Sequence, residues 1–529
     1  MLVILLLSLL TVACNSYKIL VISPKYGYSH MNFMGKIADT LVDAGHDVVT
    51  FQPIVNDQLV GTGTSKSRLI QTQPTQELKE EIEMFTRPES LRPVYTADPS
   101  NPMGFLAFVP SVKRVTAYSI SGVLSEKKIL QQLRDEKFDL AITELFEFIG
   151  LAVTEALGIK NVVGAHSNGC ILEGTAQAIG LPLIPSYMPA ANGVTDDSYD
   201  ISTRATNLLF TVLSVYMQRT VAASAEQAMV EKLGSAVTPV WASSGTIWLE
   251  FPPYTNTKPL LDFPKPTLHS IVNLGGIGVA EAKPLSQEWE NILSLRERAI
   301  LISLGSVIPS VLMPEGMKKT IIEAVKSYPN ITFIWKYEDP NDPLVSGVEN
   351  LVLSKWTPQN DLLGDHRLSA FVTHGGSGSM MESAVHGKPL IVIPLFGDQT
   401  RNAKTVVKYG LGIHMEKSKL LTKNAFREAV DSILADQKYR IAAKRMQRML
   451  ERRLLSPQEK LVKTIRLAAE FGNMPEQRVA GRNLGFIVYY NIDIISILVL
   501  IIISVITMIW YVLLRLFQFL YTSTKVKTQ

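Results

Sequence analysis

"FVTHGGSGSMMES", Phe371 to Ser383, leaves an apolar run through a histidine and then spends three glycines and two serines in the next five residues. "LSAFVTHGG" reads as a buried strand ending in a glycine turn, and "SGSMMESAVHG" reads as the helix that the turn opens. Free backbone N–H groups at a helix start, together with the positive end of the helix dipole, make an anion site, and glycine lets a phosphate come close. His374 offers a further donor to the same phosphates, and Glu382, about one turn into the helix, offers an acceptor for ribose hydroxyls. Neither G-x-G-x-x-G nor G-x-x-x-x-G-K-[ST] fits the stretch, which favours a nucleoside diphosphate over NAD or ATP. A plain tight turn is the alternative.

Around this stretch, strands and helices alternate. "AILISLGS" (Ala299 to Ser306), "ITFIWKY" (Ile331 to Tyr337), "NLVLSKW" (Asn350 to Trp356) and "PLIVIPLF" (Pro389 to Phe396) read as further strands. An earlier set has the same character: "YKILVISP" (Tyr17 to Pro24), a helical segment from about Asn32 to Ala44, "HDVVTFQP" from His46, then "KFDLAITE" (Lys137 to Glu144) and "KNVVGAHS" (Lys160 to Ser167). Strand, helix, strand in so short a span is the βαβ unit of a parallel sheet. Helical patterning runs from Thr203 to Gly234, and the Pro-rich passage Phe251 to Gly278 reads as an interdomain connection. The class is α/β, with two doubly wound sheets facing one cleft, the usual ligand position in open parallel sheets.

The 529 residues, 47% hydrophobic and 19% charged, suffice for two or three packed domains and exclude a disordered chain. A net charge of +4, from 52 basic and 48 acidic residues well mixed, speaks against nucleic acid as a partner. Residues 1–16 read as a signal peptide, "LVILLLSLLTV" being its apolar stretch, although a basic start is missing and a buried element is the alternative. "IISILVLIIISVITMIWYVLL", Ile494 to Leu514, is uncharged over about 31 Å of helix, enough to cross a bilayer core. Trp510, Tyr511 and Tyr521 suit the interface, and Arg515, Lys525 and Lys527 the cytosolic side. A single-pass type I protein follows, with nearly all of the chain lumenal, and the lysines of "KVKTQ" resemble a retrieval signal of the endoplasmic reticulum membrane. Cys14 and Cys170 are the two cysteines, the first lost on cleavage, and Asn330 heads the one N-x-Ser/Thr sequon. No His/Cys/Asp cluster with metal-ligand spacing occurs.

Three blocks now converge. "SLGS" (Ser303 to Ser306), "WTPQNDLLG" (Trp356 to Gly364) and "FVTHGGSGSMMESAVHGKPLIVIPLFGDQTRNA" (Phe371 to Ala403) resemble the signature segments of the UDP-glycosyltransferases, above all the membrane-bound UDP-glucuronosyltransferases of animals. The resemblance runs from "SHMNF" to the membrane tail. It implies the GT-B fold, two Rossmann-like domains facing a cleft: an acceptor-binding domain with linker over 17–278, a UDP-sugar-binding domain over 279–483, a membrane segment over 484–520 with its core at 494–514, and a tail at 521–529. It also implies site roles. Trp356 would stack on uracil and Gln359 meet the nucleoside; His374 with the backbone of Gly376, Ser377, Gly378 and Ser379 would hold the diphosphate. Glu382 would take the ribose, Asp398 and Gln399 the sugar hydroxyls, and Gly305 and Ser306 would line the pocket. Core packing for Trp356 and a helix N-cap for Asp398 are the alternatives.

His30 occupies the place of the family's catalytic histidine, a base of suitable pKa for an acceptor hydroxyl. The family's usual aspartate partner is replaced by Glu144, one methylene longer, with Glu147 as a rival. The family's Asn stands as Gly378 here, and its Trp after the catalytic histidine as Met31. The expected function is that of an inverting UDP-glucuronosyltransferase acting on hydroxyls of small lipophilic acceptors, with UDP-glucuronate as the donor and no metal. A UDP-glucosyltransferase using UDP-glucose with the same machinery is the alternative within the class. A non-catalytic sugar-nucleotide-binding membrane protein is the alternative outside it. Whether the lumenal domains pair into a homo-oligomer stays open.

Overall fold

The computed structural model describes residues 16–243, 247–250, 254–255, 258–259, 261–472 and 474–526. The expected signal segment apart from Ser16, together with Cys14 and Lys527, lies outside the described residues. The chain divides into two compact units, Met1–Arg478 and Val479–Gln529.

The first unit holds both lobes. Its N-terminal lobe contains β1 (Lys18–Ile22), α1 (Tyr28–Asp43), β2 (Asp47–Pro53), β3 (Arg68–Thr72), α2 (Val109–Ser125), β4 (Leu140–Glu144), α3 (Ile149–Leu157), β5 (Val162–His166), α4 (Ile201–Leu233) and β6 (Ile247–Glu250). A two-stranded antiparallel ribbon, β7 (Tyr254–Thr255) and β8 (Lys258–Pro259), precedes β9 (Ile271–Asn273). The sheet is parallel, in the order β3-β2-β1-β4-β5-β6-β9. β1 (KILVI) and β4 (LAITE) are buried along almost their whole length, as strands covered on both faces by helices must be.

The C-terminal lobe repeats the plan with β10 (Arg298–Ser303), β11 (Ile331–Lys336), β12 (Leu351–Ser354), α5 (Gln359–Gly364), β13 (Leu368–Thr373), α6 (Ser377–His386), β14 (Leu390–Val392), α7 (Gln399–Lys408) and β15 (Gly412–His414). Its parallel order, β12-β11-β10-β13-β14-β15, reverses direction between β10 and β13. The Pro-rich passage is more than a connector, because β9 within it closes the edge of the first sheet.

The lobes are tied together in three ways. Tyr95, from the first lobe, lies in the apolar core around β10 and β11, and its hydroxyl donates to Pro309 O at 3.1 Å. Arg401 of α7 makes a buried ion pair with Asp262, which also pairs with Lys265 at 3.0 Å. The last helix of the unit, α8 (Pro457–Phe471), returns to the first lobe, where Leu461, Ile465 and Ala468 share a core with Phe33, Met34 and Ile37 of α1. Asn161 Nδ2 donates to Ala468 O at 2.9 Å on the same face. α8 starts with Ser456 and Glu459 in a reciprocal capping box.

In the second unit, α9 (Ile492–Val526) is one continuous helix, apolar enough over Ile492–Leu520 to cross a membrane. That stretch is longer than the roughly 20 residues a bilayer core requires.

Candidate active site

In an open parallel sheet the strands on either side of the order reversal leave a crevice at their carboxyl ends. In the first lobe those strands are β1 and β4, which pair directly. β1 leads into α1, which begins at Tyr28, about four residues before the expected start, because Gly27 is extended and ends the loop there. His30 therefore sits on the first helical turn rather than in a loop. Glu144 is the last residue of β4 and is buried.

His30 Nδ1 meets Glu144 Oε1 at 2.6 Å. Ser167, just beyond β5, places its Oγ 2.5 Å from the same ring nitrogen and donates to Glu144 Oε1. The Tyr26 hydroxyl also reaches His30 Nδ1. Burial alone would raise the Glu144 pKa, but attraction to His30 and the hydrogen bonds from His30 and Ser167 outweigh it and hold the carboxyl below its ordinary value. An ionised Glu144 fixes the proton on Nδ1 and leaves Nε2 as the basic nitrogen. Glu147 does something else: its Oε2 accepts from Ile149 N at 2.6 Å, and burial pushes its pKa well above the usual carboxyl range. The added methylene of Glu144 thus spans the distance to the imidazole, and Glu147 takes no part in holding it. Met31 is buried against the Gly63 turn, so the replaced tryptophan position packs into the core.

The second lobe repeats the geometry at β10 and β13. Gly305 follows β10 at φ +92°, and a Cβ built on it would lie 2.8 Å from His374 Nε2. A Cβ on Gly376 would come within 2.6 Å of the same atom. The ring of His374 is therefore seated between two glycines at the mouth of α6, and no side chain fits at either. Burial pushes the His374 pKa down to about 4, against a hydrogen bond to the Ser303 backbone. At neutral pH it is uncharged, so its single N–H serves either the Ser303 carbonyl or a phosphate seated at the turn. Gly376 is the N-cap of α6, so the amides of Ser377, Gly378 and Ser379 open the helix unpaired within it.

Gln359, first residue of α5, donates through Nε2 to Glu382 at 2.6 Å and to Ser379 at 3.1 Å. Trp356, 58% exposed, is no core residue, and its ring meets Tyr28 of the other lobe edge-on at 5.5 Å. Asp398 precedes α7 without capping it through its side chain. Its Oδ2 instead accepts from Asn402 Nδ2 at 3.0 Å, Ser377 Oγ at 3.1 Å and Gly169 N at 3.4 Å. Gln399 turns its Oε1 to Leu395 N (2.8 Å) and Phe396 N (3.1 Å), shaping the preceding loop. Ser306 is exposed beside Gly305. Gly378 has open space where a side chain would stand.

Two contacts bring the halves into one cleft: Tyr28, two residues before His30, touches Trp356, and Gly169, two residues after Ser167, touches Asp398. Residues 17–527 match the family of UDP-glucoronosyl and UDP-glucosyl transferases. The chain belongs to that family. This transferase chain is 28% identical over 491 residues to UDP-glucuronosyltransferase 1A7 of Mus musculus, covering 91% of this chain and 88% of that protein. It is also 28% identical over 488 residues to UDP-glucuronosyltransferase 1A8 of Homo sapiens, covering 90% and 88%. Among solved structures, the glycosyltransferase VinC in complex with dTDP matches with a TM-score of 0.56 at 16% identity, over 86% of this chain and 100% of that one. SnogD from Streptomyces nogalater matches with a TM-score of 0.52 at 19% identity over the same shares. The transferase fold is GT-B.

Tyr26, Tyr28, Ser167, Gly169 and Asn402 join the site without having been singled out by sequence. Asn402 lies inside the quoted "GDQTRNA" segment and Ser167 ends a quoted strand, so position is the available signal; Ser167 and Gly169 meet partners 137 and 229 residues away, at His30 and Asp398.

Proposed function

We propose that the protein is an inverting glycosyltransferase that moves glucuronic acid from UDP-glucuronate to a hydroxyl of small lipophilic acceptors, in the endoplasmic reticulum with its lobes on the lumenal side. The observation that carries the reading is the His30–Glu144 pair at 2.6 Å, sharing a cleft with the amides that open α6. His30 Nε2 takes the acceptor's hydroxyl proton as its oxygen attacks the anomeric carbon, and the bond from that carbon to the UDP oxygen breaks in the same displacement. Glu144 stays ionised and steadies the imidazolium. The oxygen charge on the departing UDP is met by the backbone N–H groups of 377–379 and by neutral His374, with no metal called for. Trp356 offers its exposed face to uracil, and Glu382 and Gln359 the ribose. Asp398 takes the sugar hydroxyls, with Gln399 contributing through its amide nitrogen.

Glucuronate is favoured by the glucuronosyltransferases among the similar proteins, although the matched family includes glucosyl transferases as well. The test incubates membranes containing the full chain with UDP-glucuronate or UDP-glucose and one phenolic acceptor, and weighs the product. A glucuronide is expected. A glucoside alone overturns the sugar assignment, and no product from either donor while UDP still binds overturns the catalytic reading.

A further inference from the structure

The sequon "NIT", Asn330 to Thr332, is a motif that the chemistry above does not use. Pro329 and Asn330 form the turn between the helix Glu315–Lys326 and β11. The turn is pinned from within. Asn350 Nδ2 donates to Val325 O, Tyr328 O and Ile331 O at 2.8, 2.9 and 3.2 Å. Arg296 Nε donates to Pro329 O at 2.6 Å, and the Tyr328 hydroxyl reaches Asp431 at 2.6 Å. Asn330 itself stands exposed at the tip. It lies at the amino end of β11, whereas the cleft opens at the carboxyl ends of the strands.

Thr332 is the residue that the folded lobe does not explain. It is 0% exposed, in a strand (ITFIWK) buried along its whole length, and it pairs with Ala299 of β10. Strand alternation puts it on the same sheet face as Ile334, which shares an apolar core with Ala299, Leu301 and Phe371. Its Oγ1 has no hydrogen-bond partner among the described residues. A buried hydroxyl left unpaired costs stability, and valine has nearly the same shape without one. Before the strand folds, however, that hydroxyl has a use: with the asparagine two residues earlier it completes an acceptor for an N-linked oligosaccharide.

We propose that Asn330 is N-glycosylated while the chain is still unfolded, and that Thr332 carries a hydroxyl for that event at the expense of the folded core. The donor is an oligosaccharide linked to a lipid pyrophosphate. Asn330 Nδ2 bonds to the anomeric carbon of the oligosaccharide, the bond from that carbon to the pyrophosphate oxygen breaks, the lipid pyrophosphate leaves, and the amide gives up one proton. Folding then buries Thr332 and leaves the bulky, hydrophilic glycan on the exposed turn, at the pole away from the cleft, where it obstructs neither substrate. The proposal rests on the lumenal placement of the lobes and not on the sugar or the catalytic assignment.

The test expresses the full chain in animal cells and treats sealed membrane vesicles in two ways, with a protease added outside and, after solubilisation, with a peptide N-glycosidase. The expected result is a loss of one glycan's mass from the parent on glycosidase treatment, with the treated peptide carrying aspartate at 330. Asn330→Gln and Thr332→Val should show no such loss, and Thr332→Ser should still show it. Asn330→Gln should transfer sugar within twofold of the parent. Because Asn330→Gln and Thr332→Val both lack the glycan, their difference reads the core alone, and Thr332→Val should have the higher denaturation midpoint. A parent without glycan whose lobes are protected from the protease overturns the proposal and leaves the lumenal placement standing. A parent without glycan whose lobes are digested overturns both. A glycosylated parent in which Thr332→Val is no more stable than Asn330→Gln overturns the role given to the hydroxyl.

Discussion

Glu144 stands where the family resemblance implies an aspartate, and it still satisfies the geometry. Its extra methylene is absorbed because the carboxylate arrives from a buried strand end while the imidazole sits on the first turn of α1. Shortening it should lose the contact: Glu144→Asp and Glu144→Gln are expected to lower kcat by roughly a hundred- to ten-thousand-fold while leaving the KM for the UDP-sugar within about twofold, read by steady-state kinetics in both substrates. Two buried histidines give the fold a second residue-level signature. Burial pushes His374 and His166 each down to about 4. Each stays neutral in the folded protein where the unfolded chain already takes a proton near 6.5, so the unfolded state binds more protons between those values. Stability should therefore fall as pH is lowered from about 6.5 to about 4, by at most about 3 kcal/mol per histidine. Denaturant titrations across that window measure the slope, and His374→Gln should flatten it.

At the scale of elements, the turn into α6 makes opposite demands on neighbouring glycines. Gly378 is helical with open space at its Cβ position, so Gly378→Ala should be neutral or stabilising by up to about 1 kcal/mol. Gly376→Ala would drive its methyl into His374 Nε2 and should displace the ring, raising the KM for the UDP-sugar several-fold. Thermal unfolding of the first variant and donor titration of the second check the pair. These elements were readable in sequence because strand β13 and the glycine turn after it are contiguous, and buried parallel strands such as β1, β4, β10 and β11 are nearly unbroken apolar runs. Besides the two-residue β7 and β8, the strands that escaped reading, β3 (RLIQT), β6 (IWLE), β9 (IVN) and β15 (GIH), are short or carry polar residues, and three of these four lie at sheet edges with one flank free. The start of α1 was misplaced for want of a polar cap, since its N-cap is a glycine that makes no side-chain bond.

For the whole molecule, the cleft exists only while the two lobes hold their relation, and one buried ion pair contributes heavily to that. Removing Arg401 leaves Asp262 with Lys265 alone in a buried setting. Arg401→Ala should cost about 3–5 kcal/mol, read as a lowered denaturation midpoint of the full chain. Sequence could not show this pair, whose partners are 139 residues apart and come from the connecting passage and α7.

The return of α8 to the first lobe also orders the protein's birth. The apolar face of α1 is completed by Leu461, Ile465 and Ala468, which leave the ribosome after every strand of both sheets. A nascent chain halted anywhere before Phe471 carries an unfinished first half with oily surface bare, however long it waits. Ribosome-stalled chains ending near residue 300 should therefore be protease-sensitive across α1, and gain protection there only once the stall lies some tens of residues beyond Phe471, when α8 has cleared the exit tunnel.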